Sequence, residues 1–209
     1  MDKALNSVRD AGRGLMRVVA KGLNKVTKGK LEPDVVTMVG FMAHVPIACL
    51  IATNNLLIAG ILLIIFGLFD TLDGELARLQ NRASARGMFL DSVTDRLKEV
   101  MLYIGAGYLF VDLGQPFYAV WAIAAIGFSV AVSYVNAWGE VVLSKHTAPA
   151  SGHQQNKTFR SGLLTYDIRI LLLVIGLVFG VLQYVVVIIA LLSLVTIVQR
   201  TSLVLKKLS

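Results

Sequence analysis

FDTLDGELARLQNRASARGMFLDSVTDR, residues 69–96, decides how this chain is read. It carries Asp70, Asp73, Asp91 and Asp95 with Gly74, Arg78 and Gly87, and apolar runs bound it on both sides. On a helix Asp70, Asp73, Ala77 and Arg78 fall at i, i+3, i+7 and i+8 and share one face. Gly87, Asp91 and Asp95 repeat every four residues and share another. Two antiparallel helices joined through the polar connection 80–86 would therefore bring four carboxylates together. Unpaired, each aspartate at the centre of a membrane helix costs about 2.5–3.5 kcal/mol, and mutual repulsion adds to that. Bound divalent cations would offset both terms. Oxygen ligands without clustered Cys or His select Mg²⁺ or Mn²⁺ over zinc, and two such ions would clamp a phosphate or diphosphate during displacement at phosphorus. Arg78 can pair with phosphate oxygens, and Gly74 and Gly87 let a ligand approach the backbone. The competing account is that the aspartates pair only with Arg78, Arg82, Arg86 and Arg96.

Outward from this stretch the chain is strongly apolar: 209 residues, 56% hydrophobic and 16% charged, with a mean hydropathy of +0.72. This composition belongs to membrane proteins, not to ordinary soluble domains. The net charge of +7 does not imply nucleic acid, because basic residues that flank apolar spans set topology and meet anionic head groups. Cys49 is the sole cysteine and lies in an apolar run, so an intrachain disulfide is excluded and a buried, inert thiol is expected. The first residues show no secretory signal pattern, so insertion is expected to rely on internal spans. No linker divides the sequence. The reading is an all-α integral membrane protein with an amphipathic juxtamembrane segment at 1–32 and one six-helix domain at 33–209.

In residues 1–32, lysines and arginines alternate with Leu5, Val8, Leu15, Val19, Leu23 and Val26 at helical spacing, which predicts a helix lying on the membrane surface. Spans are expected at 35–53, at 56–69 with the helix continuing to about 82, and at 87–112, 117–142, 163–181 and 185–205. All 20 Lys and Arg fall at the N-terminal segment, around the 80–86 connection, around the 143–162 connection or at the end of the sixth span; the three opposite turns have none. The positive-inside rule then places both termini and the acidic motif on the cytoplasmic side of the cell membrane.

Residues 70–95 resemble the signature of the CDP-alcohol phosphotransferase family, D-x2-D-G-x2-A-R-x8-G-x3-D-x3-D, at all eight fixed positions: Asp70, Asp73, Gly74, Ala77, Arg78, Gly87, Asp91 and Asp95. The six-span plan with a surface helix at the start is similar to that family as well. The resemblance implies that Asp70, Asp73 and Asp91 hold the metals. Asp95 would be a further ligand and the general base that deprotonates an acceptor hydroxyl. That oxygen would attack the β-phosphorus of a CDP-linked lipid, such as CDP-diacylglycerol, and expel CMP. Gly74, Ala77, Arg78, Ser84 and Gly87 would surround the CDP part, with Asp34 and Thr37 of PDVVT as further candidates, and a homodimer is implied. For Asp34 and Thr37 the alternative is an ordinary polar helix start.

The segment TDR at 94–96 resembles the inositol-using branch, which in its bacterial phosphatidylinositol-phosphate synthases holds an acceptor phosphate with basic residues on the last helices. Arg169 and Arg200 resemble two of these, with snorkelling to head groups as the alternative. Ser133 belongs to a segment similar to SY-x-K, yet Asn136 stands where that pattern has lysine. Lys157 and Arg160 are possible substitutes for that contact. Glycerol-3-phosphate is the alternative acceptor. A divalent-cation transporter is a third reading, which requires carboxylates on several helices near mid-membrane and an inverted repeat.

Overall fold

The computed structural model describes residues 2–146 and 164–208, with side chains from residue 12 onward. The described residues form helices and turns, with no strand among them. In order these are α1 (Asp2–Val26), α2 (Pro33–Ala52), α3 (Leu56–Gly67), α4 (Phe69–Leu79), α5 (Ala85–Asp112), α6 (Pro116–His146), α7 (Tyr166–Val178) and α8 (Leu182–Leu208).

Local chemistry sets these limits. Pro33 opens α2, where its fixed φ suits the first helical position and its missing N–H removes no bond. Ser84 caps α5 by accepting from the Gly87 N–H at 3.1 Å. Helix α4 stops in a left-handed residue, Asn81 (φ 52°), with Arg82 N–H donating to Ala77 C=O at 2.8 Å and Asn81 N–H to Arg78 C=O at 3.2 Å. The same closure ends α5 at Gly114 and α7 at Gly180, both at φ 67°. The run expected to be helical from 56 to about 82 is interrupted at Leu68 and ends at Leu79. Gly67, a weak helix former, sits at the interruption.

Among the described residues four helical runs are long and apolar enough to cross a membrane: Pro33–Ala52, Leu56–Leu79, Pro116–His146 and Leu182–Leu208, with mean hydropathies of 2.1, 2.2, 1.8 and 2.3. The expectation was six. Helix α5 has the length but carries Arg86, Asp91, Asp95, Arg96 and Lys98 in its first half and Glu99 directly after them, and α7 has 13 residues. Outward-facing Leu57, Ile58, Ile61, Ile64 and Ile65 make α3 apolar all round, as a helix in lipid is. Cys49 is also exposed on α2, so the expected buried thiol is corrected: it lies on the outer surface of the bundle.

The main core joins Ile47 of α2, Leu63 of α3, Leu102 and Phe110 of α5, Leu173 of α7 and Ile189 of α8. A smaller cluster docks α1 on α4, with Met16 and Ala20 buried against Val36, Leu72 and Leu76. Leu23 packs at its edge, whereas Leu15, Val18, Val19 and Val26 face outward. The apolar side of α1 is one continuous arc, of which Met16, Ala20 and Leu23 dock on α4 and Leu15, Val18, Val19 and Val26 stay exposed.

Helices meet closely where side chains are absent. A Cβ on Gly105 of α5 would lie 2.5 Å from the Ala48 carbonyl oxygen of α2. Gly105→Ala should lower the unfolding temperature in detergent, because separating α2 from α5 costs about 1–3 kcal/mol. That exceeds the helix-propensity gain of about 1 kcal/mol. Gly107→Ala, whose Cβ would meet only the Ala122 Cβ at 3.8 Å, should leave it unchanged or raise it.

Candidate active site

Asp70 stands in the first turn of α4, while Asp91 and Asp95 stand one turn apart on α5. One carboxylate oxygen from each lies within 4.8 Å of the others. Asp91 Oδ1 is buried and has no hydrogen-bond partner among the described residues. Buried acceptors are normally satisfied, so this atom marks a missing cation or donor. An all-carboxylate set with an unmatched buried oxygen fits a hard divalent ion, Mg²⁺ or Mn²⁺, and Asp70, Asp91 and Asp95 are the residues that would hold it. Asp73 lies outside that group of three. Its Oδ2 accepts from Thr37 Oγ1 at 2.5 Å, which ties α4 to α2, and it remains within electrostatic range of Asp70 and Asp91.

The arginines proposed as competing partners mostly go elsewhere. Arg78 donates to Glu75 Oε1 at 2.8 Å, and Arg86 lies 3.5 Å from Asp34 Oδ2. Only Arg96 approaches the cluster, at 3.9 Å from Asp95 Oδ2. The counter-charge comes instead from Lys98, whose Nζ donates to Asp70 Oδ1 and lies 3.3 Å from Asp95 Oδ1. Its side chain is 0% exposed.

The residues assigned to the CDP part gather on two helix ends. Gly74, half-buried Ala77 and Arg78 belong to α4. A Cβ on Gly74 would meet the Arg78 guanidinium at 3.5 Å, and the Arg78 side chain is 60% exposed. Ser84 and Gly87 form the start of α5, and Asp34 Oδ1 lies 3.6 Å from the position a Gly87 Cβ would take. Glu75, buried, also accepts from Arg17 of α1 at 3.3 Å. A cavity of about 250 Å³ opens beside Arg78, lined by Arg17, Ala20, Lys21, Glu75 and Leu79.

The acceptor candidates divide. Arg169 is fully buried and committed: Nε donates to Glu99 Oε1 at 2.5 Å and Nη2 to Glu99 Oε2 at 3.0 Å, while Tyr103 Oη donates to the same Oε1 at 3.0 Å. Ser133 Oγ accepts from Arg96 Nη1 at 2.6 Å, and the Arg96 guanidinium lies 4.6 Å from the Tyr166 ring centroid. Arg200, 4% exposed, has an Nε without a partner among the described residues, as does Asn136 Oδ1. Arg96 and Arg169 are both within electrostatic range of Arg200. Lys157 and Arg160 lie outside the described residues.

Lys98, Glu99, Arg96 and Tyr166 were not assigned from sequence. A signal existed: Glu99 extends the four-residue repeat of Gly87, Asp91 and Asp95, and Lys98 is three residues beyond Asp95 on nearly the same face. Glu99→Ala should destabilise the protein by about 3–5 kcal/mol, because it leaves a buried guanidinium uncompensated. Unfolding in detergent reads this, and Glu99→Leu combined with Arg169→Met should recover most of the loss.

Comparison with known proteins follows the same lines. The family model for CDP-alcohol phosphatidyltransferase matches residues 30–202. A phosphatidylinositol phosphate synthase of Cutibacterium acnes is 33% identical over 129 residues, 61% of this chain; the match spans 62% of that protein, a little under two thirds of its length. An archaetidylinositol phosphate synthase of Pyrococcus horikoshii is 30% identical over 171 residues, 81% of each chain. The crystal structure of the Mycobacterium tuberculosis phosphatidylinositol phosphate synthase with CDP-DAG bound superposes with a TM-score of 0.76 at 24% identity, covering 90% of this chain and 92% of that one. The same protein in complex with manganese and citrate gives 0.74. These solved structures share the fold. The matched residues contain both helices of the acidic motif and the small-residue contacts that hold them, and on that ground the chain belongs to the CDP-alcohol phosphatidyltransferase family.

Proposed function

We propose that this protein makes a phospholipid by transferring the phosphatidyl-type group of a CDP-linked lipid, such as CDP-diacylglycerol, to an inositol-type alcohol, with inositol phosphate as first choice, and releasing CMP. The observation that carries the reading is the convergence of Asp70, Asp91 and Asp95 within 4.8 Å on the family signature, with the Asp91 oxygen unmatched. The names of the relatives from Cutibacterium acnes and Pyrococcus horikoshii support the acceptor class.

Asp70, Asp73, Asp91 and Asp95 would hold Mg²⁺ or Mn²⁺, which when bound neutralises the diphosphate and the charge that grows on the leaving group. Asp95 takes the proton of the acceptor hydroxyl. The acceptor oxygen then forms a bond to the β-phosphorus while the bond from that phosphorus to the CMP oxygen breaks. Arg78, exposed beside the site, pairs with phosphate oxygens; Asp34, Ser84 and Gly87 at the start of α5 and Thr37, Gly74 and Ala77 form the nucleotide side. Arg200, buried and with its Nε unmatched, receives the acceptor phosphate, with Ser133 and Asn136 on α6. Arg169 takes part from behind, through the Glu99 pair, and reaches a phosphate only by leaving it.

The same proposal places residues 33–209 as one membrane domain of six spans, with α5 and α7 crossing because their charged sides face the bundle interior. The free side of α1 lies on the membrane surface, both termini and the site are cytoplasmic, and two copies form a homodimer. Ion transport is disfavoured, since these carboxylates sit on two neighbouring helices.

Purified protein supplied with CDP-diacylglycerol, Mg²⁺ and one acceptor at a time should release CMP with inositol phosphate. The substitution of Asn136 for the lysine of related segments makes glycerol-3-phosphate the instructive second arm. Release with that acceptor alone would replace the inositol reading, and no release with any alcohol would remove the enzyme reading. Asp95→Asn should cut turnover by at least about 10²–10⁴-fold while CDP-lipid binding persists, because it removes the proton acceptor and weakens one metal ligand. Normal turnover in that variant would exclude Asp95 as the base.

A further inference from the structure

We infer that Lys98 is a resident cation of the acidic cluster: its ammonium stands in for one divalent ion, so the site holds a single Mg²⁺ or Mn²⁺ tightly. This rests on the reading of the cluster as a metal site and revises the expectation of two ions.

The geometry supports the substitution. Lys98 Nζ contacts Asp70 on α4 and lies 3.3 Å from Asp95 Oδ1 on α5, so one ammonium already joins two helices that a bridging metal ion would otherwise join. The ammonium offers three donors and accepts nothing, so carboxylates are its natural partners. The side chain has no exposed surface, and an ion that claimed the same oxygens would have to drive a buried charge away from its partners. Asp91 Oδ1 is buried and unpartnered among the described residues. The Asp70–Asp95 side of the cluster thus already holds one cation, and Asp91 holds none among the described residues.

Charge balance points the same way. Four ionised aspartates would be neutralised by two divalent ions. With Lys98 present, the first divalent ion leaves one negative charge and the second would make the site net positive. A second ion should therefore bind at least about 100-fold more weakly than the first. Arg96, at 3.9 Å from Asp95, adds to that penalty.

The test counts ions without turnover. Mn²⁺ is titrated into the purified full chain in detergent, without CDP-lipid, and free Mn²⁺ is followed by its electron paramagnetic resonance signal. The wild type should bind one tight ion per chain. Lys98→Met, similar in length but uncharged, should bind two, and Lys98→Arg should return the count to one. Two equally tight ions in the wild type would overturn the inference and leave the metal reading intact, a result that needs no variant to fold. One ion in both wild type and Lys98→Met would also overturn it. No Mn²⁺ bound by either protein would overturn it together with the metal reading.

Discussion

A lysine ammonium buried between Asp70 and Asp95 lets carboxylates from the start of α4 and the first half of α5 converge in an otherwise apolar bundle. Like charges brought together away from water repel strongly, and each also loses its hydration. Without a cation between them the two helices would be pushed apart where the other contacts draw them together. Those contacts are tight ones. Gly105 lets α5 reach the backbone of α2, and Gly40 of α2 comes close to Phe69, next to Asp70, so the backbones of α2, α4 and α5 are set before any ligand arrives.

A second layer of charge lies under the first. Glu99 is one turn beyond Asp95 on α5 and is gripped by both sides of the Arg169 fork, with the Tyr103 hydroxyl on the same oxygen. Arg169 belongs to α7, so this pair ties the helix that carries Asp91 and Asp95 to the opposite part of the bundle. Arg96 connects outward, to Ser133 of α6 and over the Tyr166 ring. Helix α5 is therefore held on several sides by matched polar groups. A base that must meet a hydroxyl within a fraction of an ångström benefits from such a frame, because misplacement is costly in rate.

Much of this was legible in the chain. Carboxylates repeating at helical spacing beside apolar runs predict two facing helices, and α4 and α5 are those helices with limits within a few residues. The features that escaped depend on tertiary contacts. The break at Leu68 leaves helical geometry nearly intact and has only Gly67 as a local sign. Cys49 was expected inside because its neighbours are apolar, but apolar neighbours mean little in a bundle whose outer surface is apolar as well. Spans were counted from hydrophobic runs. The charges of α5 lower its hydropathy without giving it a polar exterior: Lys98, Glu99 and Thr94 are buried, whereas Met88, Phe89 and Leu97 are exposed.

The acceptor side shows why reaction class and substrate choice differ in how far a sequence reveals them. An acidic cluster built on two helices close in sequence is a short-range pattern, so spacing alone reports it. The role of an arginine in a span is not, because it depends on which carboxylate the fold brings within reach of the guanidinium. Arg169 and Arg200 look equivalent along the chain, each a lone arginine in an apolar run. In the fold one is consumed by Glu99, and the other keeps an unmatched Nε. A buried arginine with spare donors and no carboxylate is poised for an anion from outside. Two arginines that look alike in sequence are thus separated by one carboxylate: Glu99 satisfies Arg169, and Arg200 Nε stays without a partner among the described residues.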